Sequence, residues 1–343
     1  MTILSRCSAL FDINVLPYRV QLFELCDLAM YVQPLTPSIR TIDIHSIPSI
    51  LKHRCQETLT AQWTHKLPII QTAAPAQLAA ALIQQVLNNI QDINTTPYTI
   101  VDFCSGAGGP TPFIEKSVNA QRKRLNQRPI LFRLSDLEPN LDAWIDAASK
   151  SEYLSFVPQA VDATRPPASV RSVSSVSTHG NVSGQTKMVH LFCLCFHHFD
   201  DEMARRVLRS VMRDSDAFVV VELQDRSLGC VLLLSLEWLL LFVVTLFWFW
   251  HDLAHLLLTY WVPVLPFVHT WDGIVSCLRT RTREEMEGLV AQIVSESQRE
   301  SNGEGHGRAI DDWTISSIRK RHTWPFGYMN AFIGIRNDCR RDS

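Results

Sequence analysis

Seventeen residues, Thr99 to Glu115 (TIVDFCSGAGGPTPFIE), constrain this chain more than any others. The apolar run Ile100-Val101-Asp102-Phe103 reads as a buried strand, and Ser105-Gly106-Ala107-Gly108-Gly109 as a tight turn. Pro110-Thr111-Pro112 then opens a helix, where proline is well tolerated in the first turn. Strand, glycine turn and helix form the crossover unit of an open α/β sheet. Its glycines let the backbone approach a ligand, and its helix start offers free N–H groups. No Gly-Lys-Ser/Thr follows, which excludes the phosphate-cradling loop of ATP and GTP hydrolases.

Further segments continue the alternation. Ile130 to Leu134 reads as a second strand that ends in Ser135-Asp136-Leu137-Glu138-Pro139-Asn140. Asp136 lies 28 positions after Gly108. A carboxylate there can accept hydrogen bonds from both hydroxyls of a ribose, or it can close an Asx turn before the next helix. Glu138 is a second carboxylate on the same turn. Leu154 to Val157 reads as a third strand, followed by Val161-Asp162-Ala163-Thr164. Lys187 to Phe199 (KMVHLFCLCFHHF) is a fourth, buried strand and its exit, with Asp200 or Asp201 placed to cap a helix. Ala217 to Leu223 (AFVVVEL) is a fifth. Thr282 and Glu285 form a capping box for a helix running to about Ser297, and Trp313–Arg319 and Met329–Arg336 alternate like the two strands of a hairpin.

Together, Thr99 to Arg226 and Arg279 to Ile335 resemble the class I methyltransferases that use S-adenosylmethionine. The resemblance implies an α/β, doubly wound, mostly parallel seven-stranded sheet closed by an antiparallel hairpin. It implies a donor site of Asp102, Cys104, Ser105, Gly106, Ala107 and Gly108, with Asp136 and Leu137 at the ribose and Asp162 and Ala163 at the adenine. Cys104 stands where the family has its first loop glycine, which is a departure. His197, His198 and Glu222 lie where strands exit toward a substrate and are the candidate catalytic groups. Asp102 to Gly109 also looks like the opening motif of the DNA cytosine methyltransferases acting at carbon 5. Those need a Pro-Cys pair beyond strand four, and here Cys193 and Cys195 sit inside the strand without one.

Charge and cysteine content narrow the class. A formal net charge of −2 over 343 residues gives no reason to expect nucleic acid or another polyanion as partner. Nine cysteines without paired short spacings read as free thiols, with no zinc pattern and no other metal site. The first residues lack the sustained apolar core of a secretory signal. Ala73 to Ile93 is an amphipathic helix, either a cap over the substrate side or a packing layer. The basic group Lys116, Arg122, Lys123, Arg124 and Arg128 ends the helix after the glycine loop, solvated and complementing the dipole. Arg165 to Gln185 reads as a polar surface insertion, and Ser301 to Arg308 as a polar loop.

The least ordinary stretch is Gly229 to Trp250 (GCVLLLSLEWLLLFVVTLFWFW), 22 residues with Glu237 as its one charge. Leu253 to Thr270 is a second apolar run, separated from the first by His251-Asp252. Two runs with a short connector return the chain to one side of a bilayer. Arg226, Arg279, Arg281 and Arg283 flank the pair on the outside, the pattern of a two-pass or re-entrant hairpin with its globular part in the cytosol. The alternative is a greasy helical insertion packed on protein. The expected organisation is therefore an N-terminal helical cap region over 1–96, a donor-binding half over 97–227, an apolar membrane hairpin over 228–270, and a closing helix and strands over 271–338. The expected activity is membrane-associated methyl transfer to a small, hydrophobic acceptor. The alternative is a membrane scaffold that keeps the fold without catalysis.

Overall fold

The computed structural model describes residues 49–167, 170, 186–301 and 312–340. The N-terminal segment before Ser49, most of the polar insertion at 165–185 and the loop at 302–308 lie outside the described residues. The chain divides into two compact units, one of residues 59–223 with 281–343 and the other of residues 1–58 with 224–280.

The larger unit is built on the glycine-loop crossover. After helix α1 (Ser49–Thr64), whose residues up to Thr58 belong to the smaller unit, and helix α2 (Pro75–Asn88) come strand β1 (Tyr98–Phe103), α3 (Thr111–Arg124), β2 (Leu131–Ser135), α4 (Leu141–Ser149) and β3 (Leu154–Phe156). Then follow β4 (Lys187–Cys193), α5 (Asp201–Asp214) and β5 (Ala217–Glu222). The two strands β6 (Trp313–Thr323) and β7 (Gly327–Arg336) close the sheet. Its order is β3-β2-β1-β4-β5-β7-β6. The β1, β2, β3, β4 and β5 neighbours pair in parallel, while β7 runs antiparallel to both β5 and β6. The sheet is thus mixed, and its hairpin is the one expected from the alternation at the C-terminus. Every residue of β1 and of β5 is buried, as in strands covered on both faces. The order reverses between β1 and β4, which opens a crevice at their C-terminal ends.

Local choices agree with this frame. At Gly334, which lies opposite Phe218 in the β5–β7 register, a Cβ would sit 2.2 Å from Phe218 Cε1, so only glycine lets the ring lie across the strand. Helix α2 packs on α3 and sends Leu82, Val86 and Leu87 into the core of the sheet, the behaviour of a packing layer. One expectation for α3 is corrected. Arg122 is fully buried rather than solvated, and its guanidinium donates to the carbonyl of Arg128 (2.5 Å) and to Asn94 Oδ1 (2.8 Å). Those acceptors lie on chain segments that sequence spacing does not bring together. The seven cysteines among the described residues form no disulfide, and all but Cys193 are buried.

The smaller unit holds the apolar insertion: α6 (Leu228–Ser235), α7 (Glu237–Trp248), α8 (Leu253–Leu256) with a following π turn, and α9 (Val264–Arg279). The 22-residue apolar run is not one helix. It bends by 48° at Leu236, and the second run bends by 77° ahead of α9. At the first break Ser235 Oγ turns back to donate to the Val231 carbonyl (2.7 Å). At the second, Pro263 cannot continue a helix. No single helix among the described residues is long and apolar enough to cross a membrane, although each bent pair would be by length and composition together. Helices α6 and α9 meet at Cys230 and Cys277, whose Sγ atoms lie 3.1 Å apart. Arg226 Nε donates to the Thr280 carbonyl (2.7 Å), tying the two ends of the insertion.

Candidate functional site

The C-terminal ends of β1 and β2 are sewn together by two serines. Ser105 Oγ lies 2.9 Å from the Asp102 carbonyl and accepts the Ser135 N–H at 3.1 Å. Ser135 Oγ donates to the same Asp102 carbonyl at 2.9 Å. Between them the chain turns sharply: Cys104, Gly106, Gly108 and Gly109 have φ of 60°, 52°, 99° and 47°. Glycine adopts this region freely, whereas a residue with a Cβ is strained there by roughly 1 kcal/mol. Cys104 therefore carries a strain that the glycine of the resembled family would not. The Gly108 N–H closes the turn on the Ser105 carbonyl at 2.7 Å. Gly106 and Ala107, at its tip, are partly exposed.

Two groups from the next crossover hold that tip. Asp136 Oδ2 accepts the Gly106 N–H at 2.8 Å, and Trp144 Nε1 donates to the Gly106 carbonyl at 2.9 Å. Asp136 Oδ1 accepts the Glu138 N–H at 2.9 Å, an Asx turn. Asp136 is buried, so in this structure it is first a brace for the loop, and each of its oxygens keeps one further lone pair. Glu138, two residues on, is exposed, while Leu137 is half-buried. The helix cap that follows is Asn140, whose Oδ1 accepts the Ala143 N–H. The third candidate turn reaches the same edge: the Val161 N–H donates to the Asp136 carbonyl at 2.8 Å. Ala163 is buried there, and Asp162 is exposed with Oδ1 accepting from Thr164 N and Oγ1 at 2.8 and 2.7 Å.

Asp102 lies beneath the loop. Its Oδ2 accepts the Thr111 hydroxyl at 2.7 Å, while its Oδ1 is buried without a hydrogen bond. Burial, opposed by the Thr111 and Ser105 hydroxyls and aided by the neighbouring Asp136 charge, pushes its carboxyl up from 3.8 to about 7. An unpaired buried acceptor at a strand end is costly and is an address for a donor or a cation.

Beyond β4 the chain makes a 3₁₀ turn, Phe196–His198, around Glu222 at the end of β5. Glu222 Oε1 accepts the N–H groups of Phe196 and His197 at 3.0 and 3.2 Å, and its Oε2 lies 2.8 Å from His197 Nδ1. Both side chains are buried, and the His198 ring lies tilted by 50° against His197 with ring centres 4.1 Å apart. A carboxylate on Nδ1 favours the tautomer whose Nε2 is the acceptor, which is the arrangement of an oriented base. The pairing of two of the three candidates, His197 and Glu222, comes from strand order alone, since they are 25 residues apart.

Arg281 completes the turn. Its guanidinium donates to the carbonyls of Phe196 (3.1 Å) and Phe199 (2.7 Å) and pairs with Asp201 Oδ1 (2.8 Å). Besides flanking the apolar insertion, Arg281 thus clamps the turn after β4. Arg283 likewise pairs with Glu287. The expected caps are in place: Asp200 Oδ1 accepts the Met203 N–H, and Thr282 and Glu285 exchange both bonds of the capping box. Trp144 and Arg281 are missed by motif reading because each acts through a distant backbone carbonyl, and Thr111 because its partner is the Asp102 carboxylate at the end of the preceding strand. The one available signal was Thr111 in the first turn after the loop.

No protein-family model and no curated protein matches the chain. Solved structures do. Magnesium protoporphyrin IX methyltransferase (ChlM) from Synechocystis PCC 6803 with bound SAM is 10% identical, with a TM-score of 0.41 over 87% of this chain and 100% of the other. LepI in complex with SAM is 13% identical, with a TM-score of 0.38 over 74% of this chain and 46% of the other, so the chain spans about half the length of LepI. The pyocyanin biosynthetic protein PhzM is 15% identical, with a TM-score of 0.38 over 77% and 56%. Likeness at this level is to a general chain course, and the site rests on its own geometry.

Proposed function

We propose that this chain is an S-adenosylmethionine-dependent methyltransferase that acts on a small, hydrophobic acceptor. The observation that carries the reading is the buried, unpartnered Asp102 Oδ1 beneath a positive-φ loop at the sheet's switch point. A donor molecule that brings a cation and hydrogen-bond donors to a strand end fits that acceptor. S-adenosylmethionine supplies an electrophilic methyl group on a sulfonium. The loop 103–109 would cradle it, Asp136 and the exposed Glu138 would receive its hydroxyls, and Asp162 and Ala163 would border its base. Asp136 keeps the loop tip in register through Gly106, so its loss acts on binding twice.

On the acceptor side, His197 Nε2 takes the proton from an attacking oxygen or nitrogen, and Glu222 holds the ring and stabilises the imidazolium. Alignment does the rest of the work, so no metal is called for. Attachment to a bilayer through the apolar insertion supports a lipophilic acceptor and keeps the globular part on one side. Titration calorimetry of S-adenosylmethionine into detergent-solubilised protein tests the donor site. We expect binding by wild type and loss of at least tenfold in Asp136→Ala with its fold intact. No binding by folded wild type would overturn the reading. That outcome would favour a scaffold without catalysis, to which the prior engagement of both Asp136 oxygens already lends support.

A further inference from the structure

We propose that the apolar insertion seats in one leaflet of a bilayer and does not cross it. This rests on the bilayer-attachment part of the reading above and not on methyl transfer.

The exposed residues between 228 and 250 fall at 228, 232, 236, 238, 239, 243, 246, 247 and 250, mostly at helical three- and four-residue spacing carried through the break. Every one is Leu, Val, Phe or Trp. The opposite face carries Cys230, Leu241 and Val244 into the unit's interior. A helix on a water-facing surface carries polar residues outward; this pair carries none over its whole length. The second run continues the apolar surface through Leu253, Leu257, Val262 and Phe267, with Tyr260 and Trp261 beside them, and Trp261 is 82% exposed. So large an apolar surface, with Trp238, Trp250, Tyr260 and Trp261 exposed within it, matches the boundary between headgroups and acyl chains.

The connector argues against crossing. Asp252 is held by α1: Arg54 Nη1 lies 2.5 Å from Asp252 Oδ2 and 2.6 Å from Glu57 Oε2. His255 lies 3.3 Å from Asp252 and 3.1 Å from Thr58 Oγ1. Glu57, Asp252 and His255 come close enough together to hold a cation, but the Arg54 guanidinium already sits on both carboxylates. A hairpin that crossed would carry Arg54, Glu57, Asp252 and His255 through hydrocarbon with it, along with a first helix that begins SILKHRCQET. Neither α6, about 12 Å long, nor α7, about 18 Å, alone reaches across roughly 30 Å of hydrocarbon; the bent pair reaches it only end to end, and the second run turns by 77°, which gives no straight return.

The test is cell-free synthesis of the full chain with sealed vesicles of phosphatidylcholine and phosphatidylserine (3:1), followed by flotation. His251→Cys is then labelled with a membrane-impermeant maleimide and the label located by peptide mass spectrometry. The expected result is flotation, full labelling of position 251 from outside, and about tenfold less flotation for Leu232→Lys/Leu239→Lys/Phe247→Lys. Flotation with position 251 protected would overturn the one-leaflet seat and leave bilayer attachment standing. No flotation, with the chain dispersed in buffer as a dimer or monomer, would overturn both. The triple variant's far-ultraviolet circular dichroism distinguishes lost affinity from lost fold, and the labelling result on the single variant is independent of it.

Discussion

Replacing Asp102 by Asn removes a charge from the most desolvated acid of the site. The native carboxyl titrates at about 7 against an ordinary 3.8. The folded state therefore binds a proton that the unfolded chain has released. Below about pH 4 both states are protonated and the group is neutral to stability. As pH rises toward 7 the unfolded chain gains from ionisation, and native stability falls by about 1.4 kcal/mol per pH unit; above 7 both states are ionised and the loss levels off near 4 kcal/mol. Asn pays none of this, although its amide leaves a donor near the Oδ1 position unsatisfied, a pH-independent cost of about 1–3 kcal/mol. That constant cancels when the two proteins are compared across pH. The stability of Asp102→Asn relative to wild type should rise by roughly 3 kcal/mol between pH 5 and pH 8, read as midpoints of urea denaturation in matched buffers. A difference that stays flat within about 0.5 kcal/mol, or that falls with pH, would refute the buried, unpaired carboxylate. Under the proposed function, saturating S-adenosylmethionine flattens the wild-type curve, because a cation near Oδ1 restores the ionised form.

Three further outcomes follow from the geometry. Glu222→Gln keeps an acceptor for the Phe196 and His197 N–H groups but turns an amide donor toward Nδ1; kcat should fall 10²- to 10⁴-fold with donor affinity unchanged, measured once an acceptor is found. Arg281→Ala strips the carbonyls of Phe196 and Phe199 of their donor and should cost about 2–3 kcal/mol in urea unfolding; Arg281→Lys should recover less than half, since one ammonium cannot span both carbonyls and Asp201. Gly334→Ala drives a Cβ into the Phe218 ring and should cost about 1–3 kcal/mol by thermal or urea unfolding, with at least half recovered in Gly334→Ala/Phe218→Leu; absence of recovery would place the cost in the backbone.

Much of the sheet could be read before any coordinates. Fully buried runs such as Tyr98–Phe103 and Ala217–Glu222 have the composition of two-sided strands, and the glycine turn with its following prolines marks the crossover. The caps at Asp200 and Thr282 were equally legible, because a capping bond spans three residues. Arg122 shows the opposite case. A guanidinium near a helix end looks solvated in one dimension, yet folding buries it against Asn94, 28 residues away, and the clamp that Arg281 makes on the Phe196 and Phe199 carbonyls is equally hidden in the sequence.

The sequence alone therefore determined the alternation of strands and helices, the loop that turns at Cys104 to Gly109, and the carboxylates that follow each strand. Those features are local and repeat at the periods of backbone geometry. Tertiary structure decided what the groups do. It brought Glu222 onto His197 across 25 residues, turned Asp136 inward to brace Gly106, and left Asp102 Oδ1 buried with no donor. It also broke the apolar runs and tied their connector to Arg54. Hydrogen-bond satisfaction and burial depend on which segments meet, and strand order and packing set that, not neighbours in the chain.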